Sequence, residues 1–148
     1  MSLQVDIEKD YGGFHLRSQF ETNGGITGLL GTSGCGKSQT LRCIAGVQTP
    51  DRGRIVLDGV TLYDSEKHIN LTPQQRGVGY LFQRYALFPN MTVRANILTG
   101  LRREKDAAKK QAAFDHAIHL LKLEGLEDRR PAQLSGGQAQ RVALARML

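Results

Sequence analysis

The chain has 148 residues, of which 40% are hydrophobic and 23% charged, with 17 Gly, 4 Pro, 2 Cys and no Trp. That composition suits one ordinary globular domain, or part of one, and excludes a disordered tail, a collagen-like repeat and a disulfide scaffold. The net charge of +6 and pI near 9.6 invite a nucleic-acid reading, but much of the excess lies in Arg102-Arg103-Glu104-Lys105-Asp106 and Lys109-Lys110, where mixed signs equally suit a solvated helix face.

At the N-terminus, Asp6, Glu8 and Asp10 stand among single apolar residues, which is not a signal-peptide pattern and makes a reduced, cytoplasmic setting the default. Residues 3–9 and 14–20 alternate apolar and polar and predict half-buried strands. After the Asn23-Gly24-Gly25 turn, the apolar run Ile26 to Leu30 predicts a strand buried on both faces, as in a parallel sheet. A glycine-rich loop follows, then a helix from Ser38 to Ala45 stopped by Gly46. Cys35 and Cys43, on this loop-helix element, would be about 12 Å apart along a helix, too far for a disulfide.

Arg54 to Leu57 predicts a strand closed by an Asp58-Gly59 turn, residues 64–77 read as a polar loop, and Val78 to Phe82 as a further buried strand. Next comes an aromatic loop through Tyr85, Leu87, Phe88 and Pro89. Thr92 can cap a short helix reaching Leu101, and a longer helix is expected from about Asp106 to Lys122, with Phe114, Ala117, Ile118 and Leu121 on one face. A last helix starts near Ser135. There is no internal repeat and no low-complexity tract.

Gly31-Thr32-Ser33-Gly34-Cys35-Gly36-Lys37-Ser38 is a complete G-x-x-x-x-G-K-S loop between a predicted strand and a predicted helix. Glycines let successive amides of Ser33, Gly34, Cys35 and Gly36 turn inward around an anion, and the helix start adds its partial positive charge. Lys37 is placed to reach the β- and γ-phosphates, and the Ser38 hydroxyl to ligate Mg²⁺. The expected ligand is a nucleoside triphosphate.

Leu134-Ser135-Gly136-Gly137-Gln138 opens the last helix. Ser135 is a good N-cap and two glycines leave the helix start bare, so this is a second place for an anion, without a reaching lysine. Read alone it is also simply a capped helix. Two half-sites on one chain suggest that the second completes a triphosphate site on another molecule.

Taken in order, the phosphate loop, Gln83 at a strand end and the Leu-Ser-Gly-Gly-Gln string resemble an ATP-binding-cassette (ABC) ATPase over essentially the whole chain. The resemblance implies an α/β P-loop NTPase with a parallel-core sheet, an antiparallel β layer and a helical subdomain. Residues 1–90 would hold the β layer and phosphate-loop core, and about 91–145 the helical part. It implies ATP and Mg²⁺ as ligands, with Tyr11 (or Phe14 in its place) stacking on adenine and Gln83 contacting Mg²⁺ and the attacking water. It further implies a head-to-tail homodimer in which Ser135, Gly136, Gly137 and Gln138 of one subunit face the nucleotide of the other. Gln39 stands where a threonine is usual, which bears on the α-phosphate contact; Thr32 replaces a frequent proline and Ala139 a frequent glutamine.

Tyr85, Leu87, Phe88 and Pro89 place apolar groups where a loop is normally polar, the mark of a partner surface. The stretch resembles the region of solute importers that grips the membrane permease. Arg52 to Gly59, Asp64 to Lys67 and Leu71 to Tyr80 look most like the ATP-binding subunits of molybdate or tungstate importers, with other oxyanion importers close by. The implied setting is peripheral, on the cytoplasmic face of the membrane, served indirectly by a solute-binding protein, with no nucleic-acid partner. By the same resemblance the Walker B aspartate, catalytic glutamate and switch histidine would follow Leu148. His15, His68, His116 and His119 match none of their contexts, so the 148 residues are expected to bind nucleotide without useful turnover. Competing readings are a cassette ATPase acting on nucleic acid or ribosomes, and a catalytically silent nucleotide-binding module.

Overall fold

Alternation does what it predicts in the first two strands. Residues 1–148 are all described by a computed structural model, which divides into two units, Met1–Tyr80 and Leu81–Leu148. In the first, β1 (Leu3–Asp10) and β2 (His15–Thr22) pair antiparallel with Val5 opposite Phe20, and β3 (Arg52–Leu57) lies on the other side of β1 with Ile55 opposite Val5. The Asp58-Gly59 turn has both residues at positive φ, 47° and 78°, and returns the chain into β4 (Val60–Asp64). β5 (Ile69–Asn70) completes a five-stranded sheet in the order β2-β1-β3-β4-β5, antiparallel throughout.

One face of the sheet packs on α1 (Lys37–Ile44): Val5, Ile7, Ile55, Leu62 and Tyr63 meet Cys43 and Ile44, with Leu3, Phe20, Leu57, Leu71 and Val78 partly buried around them. Inside this layer the Tyr63 hydroxyl donates to the Pro50 carbonyl at 2.8 Å, so its polar end is satisfied.

Two expected strands do not form. Ile26 to Leu30 is irregular, with Ile26 and Leu30 essentially fully exposed, and Val78 to Phe82 joins no ladder. An apolar run reports that a segment is suited to burial, but a doubly covered strand also needs a strand beside it to take its amides and carbonyls. Neither run has one here, so the parallel part of the expected sheet is not built from them. The span 64–77, read as loop, instead contains β5 and a short α2 (Pro73–Arg76), whose start is closed by a capping box between Thr72 and Gln75.

The second unit is helical. In α3 (Val93–Gly100) the Thr92 hydroxyl accepts from Ala95 N at 3.2 Å, while the amides of Val93 and Arg94 donate to the carbonyls of Arg129 and Glu127. A short 3-10 turn (Leu101–Arg103) leads to α4 (Ala107–Leu120), capped by the Asp106 carboxylate, which accepts from Ala108 N and Lys109 N. A second 3-10 turn (Pro131–Gln133) precedes α5 (Gly136–Ala145). Val93, Ile97, Phe114, Ala117, Ile118, Leu123, Leu126, Val142 and Ala145 form the core of this unit. No helix is long and apolar enough to cross a membrane.

Candidate functional site

The phosphate loop occupies residues 31–38 of the first unit. Its glycine Gly36 caps α1 in the left-handed conformation (φ 96°), and no side chain caps the helix start with a hydrogen bond. A β-carbon there would come within 2.5 Å of Leu16 Cδ1 and 3.1 Å of Phe14 Cζ, so the close seat of the loop on β2 and φ both require glycine. The first helical bond runs from Thr40 N to the Gly36 carbonyl, leaving the amides of Lys37, Ser38 and Gln39 outside the ladder and facing outward along the axis. The first turn of α1 holds no acidic side chain. This is the charge and donor arrangement that attracts a phosphate.

Lys37 folds over the loop. Its ammonium donates to the carbonyls of Gly31 at 2.8 Å and Thr32 at 2.7 Å and lies 3.4 Å from Cys35 Sγ. The side chain is therefore held above the same amides that would receive an anion, and three donors on a rotatable stem allow it to exchange carbonyls for phosphate oxygens. Ser33, Gly34, Cys35 and Ser38 are exposed, and Gln39 Oε1 accepts from Arg42 at 3.3 Å. The exposed Ser38 hydroxyl at the first turn, beside bare amides, is an oxygen donor of the kind Mg²⁺ accepts along with phosphate oxygens and waters. No group of three or more His, Cys, Asp or Glu lies together as a protein-only metal site.

The β1–β2 hairpin brings two aromatics to this helix. Phe14 lies against the Gly36 end of α1. Tyr11 is tied to the opposite end, its hydroxyl donating at 2.7 Å to Oε1 of Gln48, just beyond the helix. Their rings are offset by 6.2 Å at 29°, and the Lys9 ammonium is 5.6 Å from the Tyr11 ring centre. Burial pushes the Tyr11 hydroxyl above its ordinary pKa, so it is a neutral donor at physiological pH. The hairpin is itself pinned by Asp51, whose carboxylate accepts from Asp10 N at 2.8 Å and Lys9 Nζ at 3.1 Å.

In the second unit, Ser135 caps α5 as its sequence requires. Its hydroxyl accepts from Gln138 N at 3.2 Å while its own amide donates to Gln138 Oε1 at 2.8 Å. Gly136 and Gly137 are exposed, and nothing stands where their β-carbons would be. Gln83 is exposed.

The aromatic loop is held by the side chains of two residues, Asn96 and Arg146. Asn96, fully buried, accepts from Phe88 N at 2.8 Å and donates to the carbonyls of Phe88, Met91 and Thr92. Arg146, just after α5, donates to the carbonyls of Ala86 and Tyr85. Leu87 turns into the core, while Phe88 and Pro89 are exposed and Tyr85 half-exposed. The sequence signal available for Asn96 was an amide on the apolar stripe of a helix, where a polar group must find partners.

Residues 19–148 match the ABC transporter family. The chain belongs to that family. Relatives include the molybdenum import ATP-binding protein ModC of Rhodospirillum rubrum, 44% identical over 99% of this chain and 39% of that protein. ModC of Rhodopseudomonas palustris is 46% identical over 99% of this chain and 39% of its own length. The sulfate/thiosulfate import ATP-binding protein CysA of Thermosynechococcus vestitus is 47% identical over all of this chain and 44% of that protein. The chain thus spans about two fifths of the length of these relatives. A bacterial ABC transporter cassette solved as a dimer superposes with a TM-score of 0.75, 26% identity and full coverage of this chain, 69% of the other. A component of the cbiONQ ABC transporter complex of Clostridium perfringens gives 0.77 and 26% identity, covering 99% of this chain and 60% of the other. These neighbours establish the ABC ATPase fold class, to which the antiparallel layer and the helical unit belong.

Proposed function

We propose that this chain is the nucleotide-binding portion of an ABC importer subunit, in which ATP binding and hydrolysis drive inward transport of molybdate or a related oxyanion. The observation that carries the reading is the bare, glycine-capped start of α1 with Lys37 folded over it. The oxyanion is suggested by the likeness to the molybdenum importer subunit ModC and the sulfate/thiosulfate importer subunit CysA.

The residues act as follows in this reading. The amides of Ser33 to Lys37 surround the β-phosphate, and Lys37 leaves the carbonyls of Gly31 and Thr32 for the β- and γ-phosphate oxygens. Ser38 and Gln83 would be the protein donors for Mg²⁺, which would neutralise charge developing on the phosphates. Gln83 also orients the attacking water, and the amide group of Gln39 is offered to the α-phosphate. Tyr11, braced by Phe14, stacks on adenine. Ser135, Gly136, Gly137 and Gln138 of a second copy close over the γ-phosphate in a head-to-tail homodimer. Tyr85, Leu87, Phe88 and Pro89 meet the transmembrane permease from the cytoplasmic side, and a solute-binding protein delivers the oxyanion to that permease. The 148-residue chain itself binds nucleotide without sustained turnover, because none of its residues stands in the context of the catalytic glutamate.

Calorimetry of the chain with Mg·ATP tests the reading. Binding is expected, and Lys37→Ala should weaken it by about 10- to 100-fold, the worth of hydrogen bonds from a charged donor. No heat and no thermal stabilisation of the unsubstituted chain by Mg·ATP would overturn it.

A further inference from the structure

The most unusual buried group outside the phosphate loop is Arg76. It closes α2 and is only 4% exposed, and no carboxylate pairs with it. Its guanidinium donates from Nη1 to the carbonyls of Cys43 at 2.7 Å and Ile44 at 2.9 Å, from Nε to the Leu71 carbonyl at 2.9 Å, and from Nη2 to Asn70 Oδ1 at 3.0 Å. Taking a guanidinium out of water without a counter-ion is costly, and burial pulls its pKa below the ordinary arginine value. The compensating negative charge is the carbonyl end of α1, the helix whose other end is the phosphate loop.

That placement matters because α1 has eight residues. A helix of two turns does not sustain itself in water and depends on what grips its ends. At its start, nothing caps it except backbone. At its finish, Arg76 takes the Ile44 carbonyl and shares that of Cys43 with the Gly46 amide, and Gly46, left-handed at φ 76°, lets the guanidinium lie against the chain; a β-carbon there would be 2.7 Å from Nε. The Tyr11–Gln48 bond reaches the same end from the other side.

We propose that Arg76 is a positioning residue for nucleotide binding: by anchoring the carboxyl end of α1 through the carbonyls of Cys43 and Ile44, it keeps the amides at the amino end and Lys37 aimed at one point. The inference rests on reading residues 31–38 as the nucleotide site. An anion at the amino end and a guanidinium at the carboxyl end also reinforce each other along the helix axis.

The two cysteines supply the readout. Cys35 is exposed inside the phosphate loop, whereas Cys43 is fully buried and reacts only if the core opens. Mg·ATP affinity by calorimetry and the rates of thiol modification with and without Mg·ATP are measured for the unsubstituted chain, Arg76→Met, Arg76→Lys and Asn70→Ala. The expected result is that Cys43 stays protected, Mg·ATP affinity falls at least tenfold in Arg76→Met and severalfold in Asn70→Ala and Arg76→Lys, and nucleotide no longer shields Cys35 in Arg76→Met. If the unsubstituted chain binds Mg·ATP and the variants bind it equally well, with Cys35 equally shielded, Arg76 only stabilises the fold and the proposal is overturned. Should Arg76→Met expose Cys43, the two milder variants decide, and unchanged affinity in both overturns it. Absence of binding by the unsubstituted chain defeats the nucleotide reading, a separate failure.

Discussion

The guanidinium of Arg146 donates to the carbonyl oxygen of Ala86 at 2.8 Å and lies 5.4 Å from the centre of the Phe88 ring. Tyr85 and Ala86 are successive non-glycine residues in the left-handed region, at φ 59° and 46°, a backbone costing about 1–2 kcal/mol per residue. Arg146 adds two side-chain bonds to a turn that also holds the backbone bonds Tyr85 N to Phe82 O and Ala86 N to Arg84 O. Arg146→Ala should speed amide exchange of Tyr85 to Phe88 at least tenfold and leave the middle of α4 unchanged. Equal protection in both proteins would show that the turn holds itself.

Asn96 makes a second anchor whose failure should look different. It is buried, so Asn96→Ala leaves Phe88 N and the Met91 carbonyl without their partner, while the carbonyls of Phe88 and Thr92 keep the Met91 and Asn96 amides, a loss of about 1–3 kcal/mol in global stability. Denaturant unfolding measures it. Arg146→Ala acts on the same loop, and the double variant should lose less than the sum, because the first loss already frees the segment.

Tyr11 and Phe14 can be separated by substitution. If Tyr11 carries the base, Tyr11→Ala should weaken Mg·ATP binding by about 1–3 kcal/mol while leaving inorganic triphosphate binding nearly unchanged. Tyr11→Phe should retain most of the affinity, since it removes only the bond to Gln48. A larger loss in Phe14→Ala than in Tyr11→Ala would transfer the role to Phe14, whose ring is the one against Gly36.

Asp51 gives the hairpin an acid-sensitive brace. The Asp10 amide, and then the Lys9 ammonium, hold its carboxyl below the usual carboxylate range. A depressed folded pKa means that the stabilisation is present above the ordinary aspartate value of about 3.9 and is lost as pH falls through the folded value. Lys9 is shifted upward by the same bond, so its share persists through neutrality and disappears only in strong base. Asp51 is half exposed, which keeps the effect below about 1 kcal/mol. Asp51→Asn should therefore unfold slightly earlier in urea at pH 7, with the gap narrowing as pH falls below the ordinary aspartate value of about 3.9. A gap constant across that range would refute the brace.

Much of this architecture was legible because its signals are local. The phosphate loop carries its glycines, lysine and serine in eight consecutive residues, and Thr92, Asp106 and Ser135 each announce a helix start by a side chain that reaches two or three residues on. Two further local signals have structural consequences: the Asp58-Gly59 turn, legible as the close of a strand, requires a returning strand, which is β4, and Thr72-x-x-Gln75 is a capping box, which opens α2 inside a span expected to be loop. Arg76 could not be read this way. Its two acceptors on α1 lie 32 and 33 residues earlier, and they are backbone carbonyls that any residue would supply. Arg146, 60 residues from Ala86, is the same case. The runs 26–30 and 78–82 failed for a third reason: hydrophobicity reports suitability for burial, while a strand exists only where another lies beside it.

Ile26 and Leu30 turn their side chains into solvent next to the half-covered Leu29. Such a seam is adhesive. It should take up an environment-sensitive dye such as ANS in the native state and make the apparent mass by light scattering rise with protein concentration.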